Sequence, residues 1–458
     1  MDIKGKKITI LGLQKTGVAL AEFLAKRGAL ITVSDRSDEK SLGDKASKIR
    51  NLGIDLETGG HSDSSFENRD YIILSPGVPH TLPQLEKARQ MGVSVIGEVE
   101  LASRFIDCPI IAITGTNGKS TATTLAGEML KKSGFNVFVG GNLGTPLVSC
   151  LDLSEKPDFV VAEISSFQLD TCVSFRPKAA ILLNITEDHL DRYKDMEGYA
   201  DSKMLVFKNQ NNDDFAILNA ADSMTIDRMQ RIHSSKYFFN EANHSDHSAD
   251  FRSGKLVLKS GADNQITIDI SRYRLKGIHN LENLAAAALA TWLLGATSEG
   301  IQETVDSFAG LAHRVEFCGE VKGVSFYDDS KATNIDAALR AVEGFEQPLA
   351  IIMGGRDKGA TFELMIGALK KHTVKAILIG EAAEKIGRAF KGSVDTVIAD
   401  SMEDAVRKGF EAVRPTGGAV VLSPACASFD MFDNYGHRGK VFQESAAKII
   451  MEAGGHGE

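Results

Sequence analysis

The stretch "AITGTNGKSTAT", Ala112 to Thr123, places glycines, one lysine and a run of hydroxyls behind the isoleucine-rich segment "PIIAITG". That order suits a triphosphate. Backbone N–H groups at a helix start can cradle phosphate oxygens, and Gly115 and Gly118 let the backbone come close; Lys119 adds a positive charge, and Ser120 or Thr121 a hydroxyl for Mg2+. Only Thr116 and Asn117 separate the two glycines, so the loop is shorter than the usual G-x-x-x-x-G-K-[ST]. Two later apolar runs end in groups suited to a divalent ion: "FVVAEISSF" in Glu163, and "AAILLNITEDHLD" in Asn184, Glu187, Asp188 and His189. Mg2+ takes oxygen ligands and keeps several waters, and ligands of open α/β sheets gather outside the carboxyl ends of strands. These side chains are therefore expected to meet the phosphate loop. Three further strand ends carry "DDSKATN", "GGRDKG" and "SPACASFD", from which Lys331, Lys358 and Ser428 project. Two lysines and a hydroxyl suit a small molecule bearing carboxylates.

The elements that must position these groups read as three α/β segments. "KKITILG", a helical stretch and "LITVSD" open a β-α-β unit, but the turn Gly12, Leu13, Gln14, Lys15, Thr16, Gly17 lacks the middle glycine of a dinucleotide fingerprint. Asp35, ending the second strand, could accept ribose or base hydrogen bonds or cap a turn; Lys15 and Thr16 suit a diphosphate. "VIGEVELASRF" reads as a helix leading out of this first segment near residue 97. The second segment runs over 98–310. Its polar stretch "HSSKYFFNEANHSDHSAD" carries His233, His244 and His247 as surface histidines. A later alanine-rich helix opens with His279, Asn280 and Asn283, amides that could read an adenine edge or cap the helix. From near 311, "VSFYDDS", "LAIIMGG", "VKAILIG" and "GAVVLSP" are four apolar strands separated by helical stretches. The expected fold is α/β: a Rossmann-like domain over 1–97, a central P-loop-type ATPase with a mostly parallel sheet over 98–310, and a Rossmann-like domain over 311–458.

Composition excludes several partners. A net charge of −9 without a run of Lys and Arg argues against nucleic acid, and the longest uncharged apolar stretch, Leu284 to Ala296, is too short to cross a bilayer. Five scattered cysteines without a C-x-x-C pair fit reduced packing residues in a cytoplasm.

"TGTNGKST", "NITEDHLDRY", "HNLENLAAA", "HRVE" and "DDSKATN", in that order along nearly the whole chain, resemble the Mur ligases. "SPGV", "GGNLG" and "SPACASFDMF" are similar to the branch that adds D-glutamate. The family uses the shortened loop. The resemblance implies a cytoplasmic step of peptidoglycan synthesis, in which ATP is cleaved to ADP and phosphate while D-glutamate is joined to UDP-N-acetylmuramoyl-L-alanine through an acyl phosphate, with two Mg2+. By the same resemblance Gly115 to Thr121 hold the phosphates, and Ser120, Glu163, His189 and Lys203 the metals. Lys119, Glu163, His189 and Lys203 are then the catalytic set. Lys203 is implied to be carbamylated, whereas residue type alone makes it a helix-surface lysine. Asn280, Asn283, Arg314 and Asp329 are implied nucleotide contacts. Lys331, Thr333, Lys358, Ser428, Phe429 and Tyr435 are implied for D-glutamate, and Lys15, Thr16, Asp35, Arg36, Ser37, Gly77, Asn142 and His189 for the UDP substrate. Arg36 and Ser37 depart from the Thr-Arg pair of one branch. A monomer is expected, with one segment swinging so that the amine comes to about 3 Å from the acyl carbon.

Three rivals stand beside this reading. A nicotinamide dehydrogenase leaves the phosphate loop unexplained, and a non-enzymatic ATP switch has no use for paired acceptor lysines. A sister ligase of the Mur or folylpolyglutamate type, taking another amino acid, is the nearest alternative.

Overall fold

The pentapeptide Lys7–Leu11 becomes the middle strand of a five-stranded sheet because its residues after Lys7 are buried on both faces, as parallel sheets covered by helices require. In the computed structural model, which describes residues 1–142, 144–188, 192–240, 246–275, 277–357 and 359–454, this sheet comprises β1 (Lys7–Leu11), β2 (Leu30–Asp35), β3 (Asp55–Thr58), β4 (Tyr71–Leu74) and β5 (Ser94–Gly97). The order β3-β2-β1-β4-β5 is parallel throughout and reverses direction between β1 and β4, which opens a crevice at the strand ends. One expectation is corrected here. "VIGEVELASRF" is not all helix: Val95, Ile96 and Gly97 complete β5 beside β4, and the helix is only Glu98–Ser103. The β-branched pair satisfies a sheet edge before the acidic residues begin the helix.

The second sheet has nine strands: β6 (Ile110–Thr114), β7 (Val137–Gly141), β8 (Phe159–Glu163), β9 (Ala179–Leu182), β10 (Phe215–Asn219), β11 (Ser235–Phe239), β12 (Ser248–Arg252), β13 (Lys255–Lys259) and β14 (Gln265–Asp269). They are ordered β14-β13-β12-β11-β10-β9-β6-β8-β7, and all pairs are parallel except β12-β13 and β13-β14. The polar histidine stretch thus contains β11, whose Tyr237 and Phe239 point inward. β6 lies between β8 and β9, so the loop after β6 leaves the sheet from an interior strand.

The third sheet, β15 (Glu316–Val321), β16 (Val324–Asp328), β17 (Leu349–Gly354), β18 (Thr373–Ile379), β19 (Thr396–Ile398) and β20 (Gly418–Leu422), has the order β15-β16-β20-β17-β18-β19 and is parallel apart from β15. Leu349, Ile351 and Met353 of β17 join one hydrophobic cluster and Ala350 and Ile352 the other, the alternation expected of a strand buried on both faces. Among the described residues no helix is long and apolar enough to cross a membrane.

The chain forms two compact units: Met1–Ile185, Glu197–Tyr273 and Glu282–Phe308 in one, and Thr186–Met196, Arg274–Leu281 and Ala309–Glu458 in the other. In the first unit the short helix Glu98–Ser103 ties the first two sheets together. Glu100, fully buried, accepts from the backbone of Val173, Ser174 and Phe175 and pairs with Arg104 at 2.8 Å. Glu98 accepts from Val148 N at 2.6 Å. Burial pushes the Glu98 carboxyl from 4.5 up to about 7, against the pull of backbone hydrogen bonds from Val148 and Leu147. The folded chain therefore keeps a proton that the unfolded chain has lost, and stability falls as pH rises between those two values. Glu98→Gln is expected to flatten that slope and raise the melting midpoint at about pH 8, corresponding to a stability gain of no more than about 3 kcal/mol, with little change at about pH 4. Thermal scans that give both proteins the same midpoint at the higher pH remove the assignment.

Candidate active site

The phosphate loop is fixed from the side by Asn184, at the end of the β9 run. Its carbonyl accepts from Thr116 N at 2.9 Å; its amide accepts from Asn117 N at 2.9 Å and donates to Asn117 O at 3.2 Å. The helix Lys119–Lys132 starts directly behind, with Gly118 at φ 85° as its cap. A Cβ on Gly118 would lie 2.2 Å from Asn283 Oδ1, so only glycine fits between loop and amide. The first turn of a helix carries N–H groups without intrahelical acceptors, which is what a phosphate takes. Lys119 Nζ donates to the carbonyls of Gly115 and Thr116, each at 2.7 Å, and Ser120 and Thr121 are buried in the same turn.

Lys203 is the largest departure from residue type. It is only 1% exposed, and its Nζ donates to Gly115 O at 2.9 Å and lies 4.4 Å from the Tyr199 ring. The expectation of a helix-surface lysine is wrong, because this face of the helix Met196–Met204 packs against the loop. Tyr199, absent from the sequence-based set, meets Thr116 Oγ1 through its hydroxyl at 3.3 Å. Its spacing of four residues from Lys203 was the available signal, since i and i+4 share a helix face.

Glu163 ends β8 next to this loop's strand, at 3% exposure. Its Oε1 accepts from Asn142 Nδ2 at 2.6 Å, whereas its Oε2, also buried, has no hydrogen-bond partner among the described residues. An ionised oxygen left that way is costly unless a cation completes it. Mg2+ fits: the donors available are a carboxylate and a hydroxyl, both hard oxygens. Of the β9-end carboxylates, Asp188 instead accepts from Asn334 at 3.1 Å in the second unit, and Glu187 is exposed. His189 and Lys358 lie outside the described residues.

In the second unit, Asp329 accepts from Ser423 Oγ at 2.8 Å, and burial pushes its carboxyl up to about 7 against that hydrogen bond and the nearby Arg314 charge. Arg314 sits between two residues of positive φ, His313 at 62° and Val315 at 45°. A β-branched residue there costs about 1–3 kcal/mol. Lys331 Nζ stacks 3.7 Å over the Tyr435 ring, while Phe429 is 63% exposed, Ser428 is buried and Thr333 half-buried. Asn280 falls in the first turn of the helix Ile278–Leu293, and buried Asn283 one turn on.

On the first sheet, Asp35 accepts from Leu13 N at 2.6 Å and Ser37 N at 2.8 Å. Burial opposes ionisation, but these hydrogen bonds prevail and hold its carboxyl below the usual range. Asp35 thus sews the β1 turn to the end of β2, the turn-capping role. Lys15 Nζ donates to Gly144 O, and a cavity of about 440 Å³ beside it is lined by Val18, Lys45, Lys48 and Pro146. Thr16 is half-buried at the same helix start, Ser37 accepts from Gly59 N at 2.8 Å, and Arg36 and Gly77 are exposed at strand ends.

Comparison with known proteins agrees with this architecture. A MurD-like N-terminal domain of Mur ligases matches residues 6–97, the Mur ligase middle domain 113–291, and the Mur ligase glutamate ligase domain 313–426. The chain is 51% identical to the UDP-N-acetylmuramoylalanine–D-glutamate ligase of Desulfatibacillum aliphaticivorans, over 96% of this chain and 98% of that one. It is 45% identical to the protein of the same name from Desulfosudis oleivorans, over 98% of each. Among solved structures, a pseudomurein peptide ligase type C from Methanothermus fervidus superposes with a TM-score of 0.62 at 18% identity, covering 97% of this chain and 100% of that one. MurF ligase from Thermotoga maritima gives 0.61 at 17%, covering 98% and 96%. Full-length identity at this level, with every domain matched in order, means that the chain belongs to the Mur ligase family.

Proposed function

We propose that this chain joins D-glutamate to the alanyl carboxylate of UDP-N-acetylmuramoyl-L-alanine in peptidoglycan synthesis, cleaving ATP to ADP and phosphate. The observation that carries the reading is the glycine cradle with Glu163 at the neighbouring strand end, one of its buried oxygens without a hydrogen-bond partner among the described residues. The names of the full-length relatives supply the substrates. A carboxylate is a poor acylating agent. Its oxygen attacks the γ-phosphorus, the bond to the β-phosphate breaks, and ADP leaves with the electron pair. The deprotonated amine of D-glutamate then adds to the acyl carbon, and the tetrahedral adduct expels phosphate.

Both partners of the first step are anions. Lys119 would lower that barrier by bringing positive charge to the transferring group, and the N–H groups behind Gly118 would hold the phosphates without reorganising. Mg2+ held by Ser120 and Glu163, with a second ion held by His189 and a carbamylated Lys203, would supply the remaining positive charge. Asn280, Asn283, Arg314 and Asp329 are assigned to the nucleotide; Lys331, Thr333, Lys358, Ser428, Phe429 and Tyr435 to D-glutamate; Lys15, Thr16, Asp35, Arg36, Ser37, Gly77, Asn142 and His189 to the UDP substrate. The division into 1–97, 98–310 and 311–458 follows those three tasks.

Phosphate release, measured with UDP-N-acetylmuramoyl-L-alanine against a panel of D- and L-amino acids, tests the reading. Release with D-glutamate alone is expected. Release with another amino acid moves the chain to a sister ligase, and none with any acceptor overturns the proposal.

A further inference from the structure

The turn that carries Arg314 is strained on both sides, with His313 and Val315 in the left-handed region. Such a conformation persists only where its surroundings over-determine it. Here they do so through four polar groups. His313 N donates to Glu316 Oε2 at 2.8 Å, and His313 Nδ1 lies 2.6 Å from Asp328 Oδ2. Gln443, on the helix Tyr435–Gly454, donates its amide to both carboxylates, at 3.1 Å to Glu316 Oε2 and 2.9 Å to Asp328 Oδ2. Lys331 N closes the other side by donating to His313 O at 3.1 Å.

The helix is seated tightly on this group. A Cβ on Gly439, one turn before Gln443, would lie 2.2 Å from His313 Nδ1 and 2.6 Å from Asp328 Oδ2. His313, Glu316 and Asp328 also have the composition of a metal set. A carboxylate pair accepts only, so the face that Gln443 turns to it is the NH2, and that donor fills the position a cation would take. The group is a staple for the turn.

We propose that Gln443 is a positioning residue for nucleotide binding: through Asp328 and Glu316 it locks His313 and holds the strained turn that presents Arg314 beside Asp329. This rests on the assignment of Arg314 and Asp329 to the nucleotide. Asp328 is shared between Gln443, His313 and the backbone N–H of Ser330 at 2.9 Å, so loss of the amide loosens the turn at its anchor.

The test compares Gln443→Leu, which removes the donor, with Gln443→Lys, which restores one. ATP affinity is measured by calorimetry without acceptor, alongside KM for ATP, KM for D-glutamate and the melting midpoint. Gln443→Leu is expected to weaken ATP binding about tenfold while KM for D-glutamate stays within about twofold, and Gln443→Lys to recover most of the loss. Unchanged ATP affinity in Gln443→Leu overturns the proposal, as does a uniform loss of every parameter together with the melting midpoint, or a lysine variant no better than leucine. A parent protein that binds ATP but releases no phosphate with D-glutamate overturns the functional reading alone, because the affinity comparison still decides the role of Gln443.

Discussion

Glu163→Gln is expected to slow ADP formation by about a thousandfold while leaving the melting midpoint unchanged or slightly higher. The two halves of that expectation have one origin. Glu163 is buried at the end of β8, with one carboxylate oxygen taken by Asn142 and the other without a hydrogen-bond partner. For stability alone, that arrangement is a cost, because a buried carboxyl oxygen has left water without a hydrogen bond among the described residues. Glutamine keeps the volume and the acceptor for Asn142, and removes the charge. What it cannot do is neutralise a divalent cation against the phosphates. Phosphate release titrated with MgCl2, together with a thermal scan, separates the roles. Parent-like turnover excludes Glu163 as a metal ligand, and a large fall in the midpoint makes it a structural residue.

The phosphate loop was legible because its chemistry is local. Glycines, a lysine and two hydroxyls directly after an apolar strand dictate both the conformation and the ligand, and the helix does begin at Lys119. Several central strands were legible for a similar reason, since buried parallel strands write themselves as continuous apolar runs, whereas their order was not. What escaped depends on contacts distant in sequence. Lys203 looks like a surface lysine because nothing within its own helix announces that the phosphate loop packs over it. β11 through β14 hid among polar residues because an edge extension that is wet on one side carries a weak apolar signal. Asp35 could be read from residue type as a ribose contact or a turn cap, and which backbone N–H groups its oxygens hold depends on the fold. The His313 to Gln443 staple could not be read at all, since it joins residues from three separate elements.

Lys203→Ala is expected to lose nearly all turnover, by about a thousandfold, and to regain part of it when short carboxylic acids are added. The structure supplies the physical reason. Lys119 and Lys203 both donate to the carbonyl oxygen of Gly115, at 2.7 and 2.9 Å. Two ammonium groups drawn to one carbonyl oxygen in a buried loop repel each other, and low dielectric strengthens that repulsion. Reaction of the Lys203 amine with CO2, as proposed, would replace one cation by a carbamate anion, turn that repulsion into attraction and offer an oxygen ligand to a metal. A small carboxylate diffusing into the space vacated by the side chain restores the same charge in the same place. Alanine and methionine at 203 therefore differ in a diagnostic way: the acid has room beside alanine and none beside methionine. Full activity in Lys203→Ala excludes the role, and rescue that is equal in both variants means that the acid acts elsewhere.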